Sequence, residues 1–117
     1  RGAKWTPPKP EDVPNEMKTL LKWYSENKKK LHPLILAAYF HTAFEQIHPF
    51  VDGNGRISRL FMNAVLNRNG YPMLIIDYSQ RKSYYHALER SQLSKDDSIF
   101  TGWFFRRYLK EYQKYLK

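Results

Sequence analysis

Apolar residues recur at helical spacing in five stretches of the chain, and the residues between them predict where each helix stops. In "NEMKTLLKWYSEN", from Asn15, the positions Met17, Leu20, Leu21 and Tyr24 predict a first helix, which the basic run Lys28 to Lys30 closes. Upstream, Pro7, Pro8, Pro10 and Pro14 exclude a continuous helix and predict an extended lead-in, because proline fixes φ and lacks an N–H. Pro33 restarts the chain. The stretch "PLILAAYFHTAFEQIH" is apolar around most of its circumference, the pattern of a helix surrounded by protein, so it is expected at the centre of the domain. A third helix follows, with Ile57, Leu60, Phe61, Ala64 and Val65 as its expected inner face and Asn69-Gly70 as a left-handed stop. "YPMLII" reads as a short strand and "QRKSYYHALERSQL" as a fourth helix. "SIFTGWFFRRYLKEYQKYL" reads as a fifth, with Phe100, Trp103, Phe104 and Tyr108 inward. The expected fold class is mostly α, a compact helical bundle with short connections.

Composition sharpens this picture in three ways. A chain of 117 residues with 42% hydrophobic and 16% aromatic content is the size of one packed domain, taken here as 1–117. Its opening on Arg1 suggests a fragment of a longer protein. A formal charge of +9 attracts polyanions, which leaves nucleic acid, anionic lipid and phosphate-rich ligands open. The absence of cysteine excludes disulfides and thiolate metal sites, and the longest apolar run, Leu34 to Phe40, is too short to cross a bilayer. A cytoplasmic protein with no membrane partner is expected.

The connection between the second and third predicted helices, "IHPFVDGNGRISR" over residues 47–59, holds more chemistry than a turn requires. Gly53, Asn54 and Gly55 would open the third helix, where unpartnered N–H groups and the helix dipole can cradle an anion. Such a triplet alone is more often a plain turn. Arg56 and Arg59 share a helix face beside it and read either as a solvated basic surface or as two planar forks for a di- or triphosphate. Asp52 would repel phosphates unless a divalent cation lay between them, and Mg²⁺ takes one or two carboxylates with phosphate oxygens; the alternative is a helix cap or turn former. His48 has the side chain best suited to removing a hydroxyl proton near neutrality, with an ordinary hydrogen-bonded histidine as the plain alternative. His41, Glu45 and His48 form a polar line on the apolar helix, so Glu45 or His41 is expected to orient His48. Glu45-x-x-His48 also has the spacing of a di-iron helix, but that chemistry needs a second such helix, and none is present in the sequence.

Residues His48 to Arg59, "HPFVDGNGRISR", resemble the signature of the Fic (filamentation induced by cAMP) domain family, H-x-F-x-[D/E]-G-N-G-R-x-x-R, at all eight fixed positions. The resemblance extends through "EDVPNEMKTLLKW", "NRNGYPMLII" and "RKSYYHALERS", and so over essentially the whole chain. It implies a helical fold and a protein adenylyltransferase, which moves AMP from ATP to a Ser, Thr or Tyr hydroxyl of a target protein, or also removes it. By resemblance, His48 is the general base, Asp52 holds Mg²⁺, Gly53, Asn54 and Gly55 cradle the α- and β-phosphates, and Phe50 anchors the loop. Arg56 and Arg59 bind the outer phosphates, Ser58 belongs to the same nucleotide-binding set, and Tyr84, Tyr85 and Gln92 lie on the adenosine side. Relatives carry a β-hairpin flap that aligns the target; here only Arg1 to Trp5 could belong to one. Many are restrained by [S/T]-x-x-x-E-[G/N], whose glutamate pairs with the second signature arginine, here Arg59. No glutamate of this chain has Ser or Thr four positions earlier, so an inhibitory helix or antitoxin would come from outside it. Two alternatives stay open: transfer of another group (UMP, phosphocholine or phosphate) and a basic nucleic-acid-binding module. The second is disfavoured by the scatter of basic residues over several helices.

Overall fold

Prolines open the first helices of the computed structural model, which describes residues 6–113. Pro10 begins a single 3-10 turn, Pro10–Asp12, and Pro14 lies in the first turn of α1, Val13–Asn27. Pro33 is the first residue of α2, Pro33–Ile47, where its missing N–H costs nothing because the first amides of a helix have no internal partner. His32 caps that helix, its Nδ1 accepting a hydrogen bond from the Leu34 N–H at 3.1 Å. Three further helices follow: α3, Asn54–Arg68, α4, Arg81–Ser94, and α5, Ser98–Tyr112. The flap expected at Arg1 to Trp5 lies outside the described residues.

α2 is the central helix, as its all-round apolar pattern predicts, and it packs against α1, α3, α4 and α5. Its Leu36, Ala37 and Ala38 join Met62, Leu66 and Phe100 in the larger core cluster, which α5 closes with Trp103, Phe104 and Tyr108. Phe40, Phe44 and Ile47 join Leu20 of α1 in a smaller one. Each large side chain so buried contributes about 1.5–3 kcal/mol of transfer free energy. Gly70, at φ +81°, supplies the left-handed stop of α3, and the Tyr71 N–H returns to the Leu66 carbonyl at 2.9 Å.

Two expectations fail, each for a physical reason. The inner face of α3 is Asn54, Ser58, Met62, Val65 and Leu66, whereas Leu60 is 68% exposed and Ala64 is exposed as well. The apolar stripe misleads because α3 turns two polar residues inward, and both find partners there: Ser58 donates to Glu45, and Asn54 grips the turn. "YPMLII" is not a strand; the described residues contain none. The segment needs no neighbouring strand because the Asn63 side chain satisfies Leu74 at both backbone groups, accepting from its N–H at 2.8 Å and donating to its carbonyl at 3.1 Å. Leu74 is 1% exposed, Tyr71 and Ile76 pack partly buried on the same core, and the Tyr108 hydroxyl donates to the Pro72 carbonyl at 2.8 Å, so the run is held without a strand partner.

Candidate active site

The turn between α2 and α3 is shaped by two left-handed residues. His48 caps the end of α2 at φ 53°, ψ 58°, with its N–H bonded to the Phe44 carbonyl at 3.0 Å. For a residue with a Cβ this conformation costs about 1–2 kcal/mol, a strain that clusters at functional positions. The side chain is exposed, just where Pro49 prevents the helix from continuing. Gly53, at φ +81°, is the N-cap of α3, and there the backbone conformation is what requires glycine. Gly55 is required for a different reason. A Cβ on it would stand 3.1 Å from Arg59 Nη1 and 3.4 Å from Glu45 Oε2.

Between the glycines, Asn54 clasps the turn. Its Oδ1 accepts from the Phe50 N–H at 3.0 Å and its Nδ2 donates to the Phe50 carbonyl at 2.7 Å. The loop is therefore anchored by the Asn54 amide, while the half-exposed Phe50 ring, expected as an anchor, rests against Phe44 with centroids 6.4 Å apart. Asn54 itself is 4% exposed, so only its backbone N–H remains to face a ligand. Ile57 is the first α3 amide to find a helical carbonyl, that of Gly53 at 3.0 Å, and no side chain caps the helix or places an acid in its first turn. The positive end of α3 is thus left uncompensated by its own residues, the electrostatic setting that suits an anion. Asp52 is exposed and is not the cap, which removes the capping alternative.

The two arginines divide between surface and interior. Arg56 is exposed, and its Nη2 lies 3.9 Å from where a Gly53 Cβ would be, so the guanidinium folds back toward the turn. Arg59 is partly buried: Nη1 donates to the Tyr84 hydroxyl at 3.3 Å, and Cζ lies 5.6 Å from that ring's centroid. Burial opposes its charge, but the hydroxyls of Tyr84 and Tyr85 outweigh this and raise its pKa further.

Behind the turn lies a polar cluster inside the core. Glu45, 7% exposed, accepts from Ser58 Oγ at 2.7 Å, and the same Oγ reaches the Gly55 carbonyl at 2.9 Å. Fully buried His41 stacks on Phe100, centroids 4.6 Å apart and planes at 4°, and its Nε2 lies 2.7 Å from the Tyr84 oxygen. Burial and then the Arg59 charge push the His41 pKa down to about 3, so the ring is neutral. The His41–Tyr84 and Glu45–Ser58 hydrogen bonds both run into the core behind the turn. Ser58 is 0% exposed and Tyr84 1%, which departs from their expected nucleotide contacts; Tyr85 is 46% exposed, and Gln92 lies about 10 Å further along α4. The turn thus gathers His48, Asp52, Gly53, Gly55 and Arg56, while α4 meets it through Arg59. The signal for the rear cluster was in the sequence as polar residues on a helix otherwise apolar all round.

The Fic/DOC family model matches residues 1–66, and the chain belongs to that family. It is 50% identical over 84 residues to the protein named protein adenylyltransferase Fic in Drosophila persimilis, a match covering 71% of this chain and 16% of that protein. The Drosophila melanogaster protein of the same name gives the same identity and covers 17% of its length, so this chain spans about a sixth of the curated relatives it matches. Among solved structures, Fic-1 from C. elegans superimposes with a TM-score of 0.83 at 31% identity, over 99% of this chain and 35% of that one. A Fic domain containing signalling protein from Bacteroides thetaiotaomicron gives 0.76 at 32% identity, over 89% and 46%. Among the described residues no helix is long and apolar enough to cross a membrane, and no group of three or more His, Cys, Asp or Glu is placed to hold a metal ion.

Proposed function

We propose that this chain is the catalytic core of a protein adenylyltransferase that transfers AMP from ATP to a hydroxyl of a target protein. The reading rests on one observation: the complete eight-position signature folds into a single turn with an exposed histidine on one side and an uncapped helix N-terminus, flanked by two arginines, on the other. Target oxygen attacks the α-phosphorus as its proton passes to an imidazole nitrogen of His48, and the bond to the departing pyrophosphate breaks. The amides at the start of α3 face the α- and β-phosphates. Arg56 and Arg59 hold the outer phosphates and offset the charge that builds on the leaving group, a contribution that depends on donors already in place. Tyr85, exposed beside Arg59, is left on the adenosine side with Gln92.

Asp52 suits a magnesium ion because a lone exposed carboxylate beside a phosphate cradle matches that ion's preference for few protein ligands plus phosphate oxygens. When bound, the ion neutralises phosphate charge; the protein's share is to hold the turn and the arginines. A restraining glutamate acting on Arg59 would come from outside these 117 residues, either from another part of a longer chain or from a separate partner.

The test is incubation with labelled ATP, Mg²⁺ and a cell lysate, followed by mass spectrometry of labelled peptides. A mass gain of one adenylate on a Ser, Thr or Tyr, lost in His48→Ala, supports the reading. Equal labelling by both proteins removes His48 from its role. Preference for another nucleotide or for a phosphocholine donor in competition would redirect the reading to a different transferred group.

A further inference from the structure

Tyr84 has the wrong surroundings for a nucleoside contact. Its ring is 1% exposed and packs between Phe100 and Trp103, with centroids 5.9 and 5.7 Å away, so no face is open to a base. Its hydroxyl is the part that reaches the site. That oxygen has one proton to give and two lone pairs to offer. Arginine only donates, so the tyrosine oxygen accepts from Arg59 Nη1, and the imidazole tautomer with Nε2 unprotonated lets the same hydroxyl give its proton to His41. In that tautomer the His41 proton is on Nδ1, which is buried without a hydrogen-bond partner.

Such an orphan donor costs about 1–3 kcal/mol, and an apolar residue stacked on Phe100 would avoid it. The fold nevertheless keeps an acceptor behind the tyrosine. Its effect is to polarise the hydroxyl, which strengthens its grip on the guanidinium in front, since hydrogen bonds in a chain reinforce one another. Gly55 lies close beside the Arg59 guanidinium, since a Cβ there would stand 3.1 Å from Nη1. An arginine with so many free rotors would otherwise sweep through solvent; held from behind, its remaining N–H groups face forward already oriented.

We infer that Tyr84, backed by His41, is a positioning residue that holds Arg59 for the outer phosphates and does not itself touch the nucleoside. This rests on the proposed nucleotide site, and the two can fail separately. The experiment is binding of ATP and of AMP to the wild-type chain, to Tyr84→Phe and to Arg59→Ala, with and without Tyr84→Phe. Far-UV circular dichroism checks that each variant is folded, and His41→Leu serves as a second, more remote variant.

Tyr84→Phe should weaken ATP about 10- to 100-fold, the scale of a hydrogen bond to a charged group, and leave AMP within about twofold. His41→Leu should do the same more weakly. In the Arg59→Ala background, Tyr84→Phe should cause no further loss, since residues acting through one another are not additive. Equal weakening of AMP and ATP would make Tyr84 a nucleoside contact and overturn the inference. So would full additivity with Arg59→Ala, or unchanged ATP binding by Tyr84→Phe. A wild-type chain that binds neither nucleotide would remove the functional reading and this inference with it.

Discussion

The two faces of the α2–α3 hairpin are built on opposite rules. On the front, His48, Asp52 and Arg56 are exposed, and Val51 is 99% exposed at the crest of the turn. On the rear, His41 and Ser58 are fully buried, and Glu45 nearly so, in hydrogen bonds of 2.7 Å. Histidine occurs on both faces, seven positions apart on the same helix, with opposite consequences. His41 is kept neutral by burial, whereas His48 stands in the open at a strained helix end. On the proposed function the difference is a division of labour: groups that would meet a ligand stay accessible, and their precision comes from groups that never leave the core.

The contrast breaks most visibly at His48. His48→Ala should lower adenylate transfer by about 10²–10⁴-fold, the usual contribution of a general base, while the melting temperature stays nearly the same, since the side chain is exposed and alanine keeps the Cβ. A fall in both would move His48 to the rear class. Asn54→Ala comes next, because it joins the faces. Losing the clasp frees both backbone groups of Phe50, and chemical denaturation should show a loss of about 1–3 kcal/mol together with reduced transfer.

A pH series sharpens the comparison at His41. Unfolded chains protonate this histidine near its ordinary value of 6.5, whereas the folded ring resists until about 3. The associated stability is therefore fully present above 6.5 and is lost as pH falls toward 3, with a slope approaching about 1.4 kcal/mol per unit. Between pH 6.5 and 5, where most carboxylates stay ionised, His41→Gln should flatten the stability curve relative to wild type. An unchanged slope would show that His41 is not a buried neutral ring. The smallest effect belongs to Val51→Ser, which should stay within about 0.5 kcal/mol in stability and leave transfer intact, since the side chain touches almost nothing.

Much of this was legible from local pattern. Helical period located all five helices, the all-round apolar run singled out α2 as the centre, and Phe100, Trp103, Phe104 and Tyr108 were readable as the inner face of α5. The signature marked the family and the α2–α3 turn. On α3 the expected stripe holds at Ile57, Phe61 and Val65, which meet the core, and fails at Leu60 and Ala64, while the polar Asn54 and Ser58 turn inward. A period-based reading assumes that apolar means inward, and that assumption fails where buried polar groups satisfy one another.

Order along the chain determined the helices, the central position of α2 and the family to which the turn belongs, because these follow from spacing and residue type within a dozen positions. Only the tertiary structure decided that Asn54 clasps the turn, that Gly55 yields its space to Arg59 and Glu45, and that Tyr84 meets Arg59 from another helix. Those relations depend on hydrogen bonds between residues up to 43 positions apart, whose distance and angle are set when the helices pack.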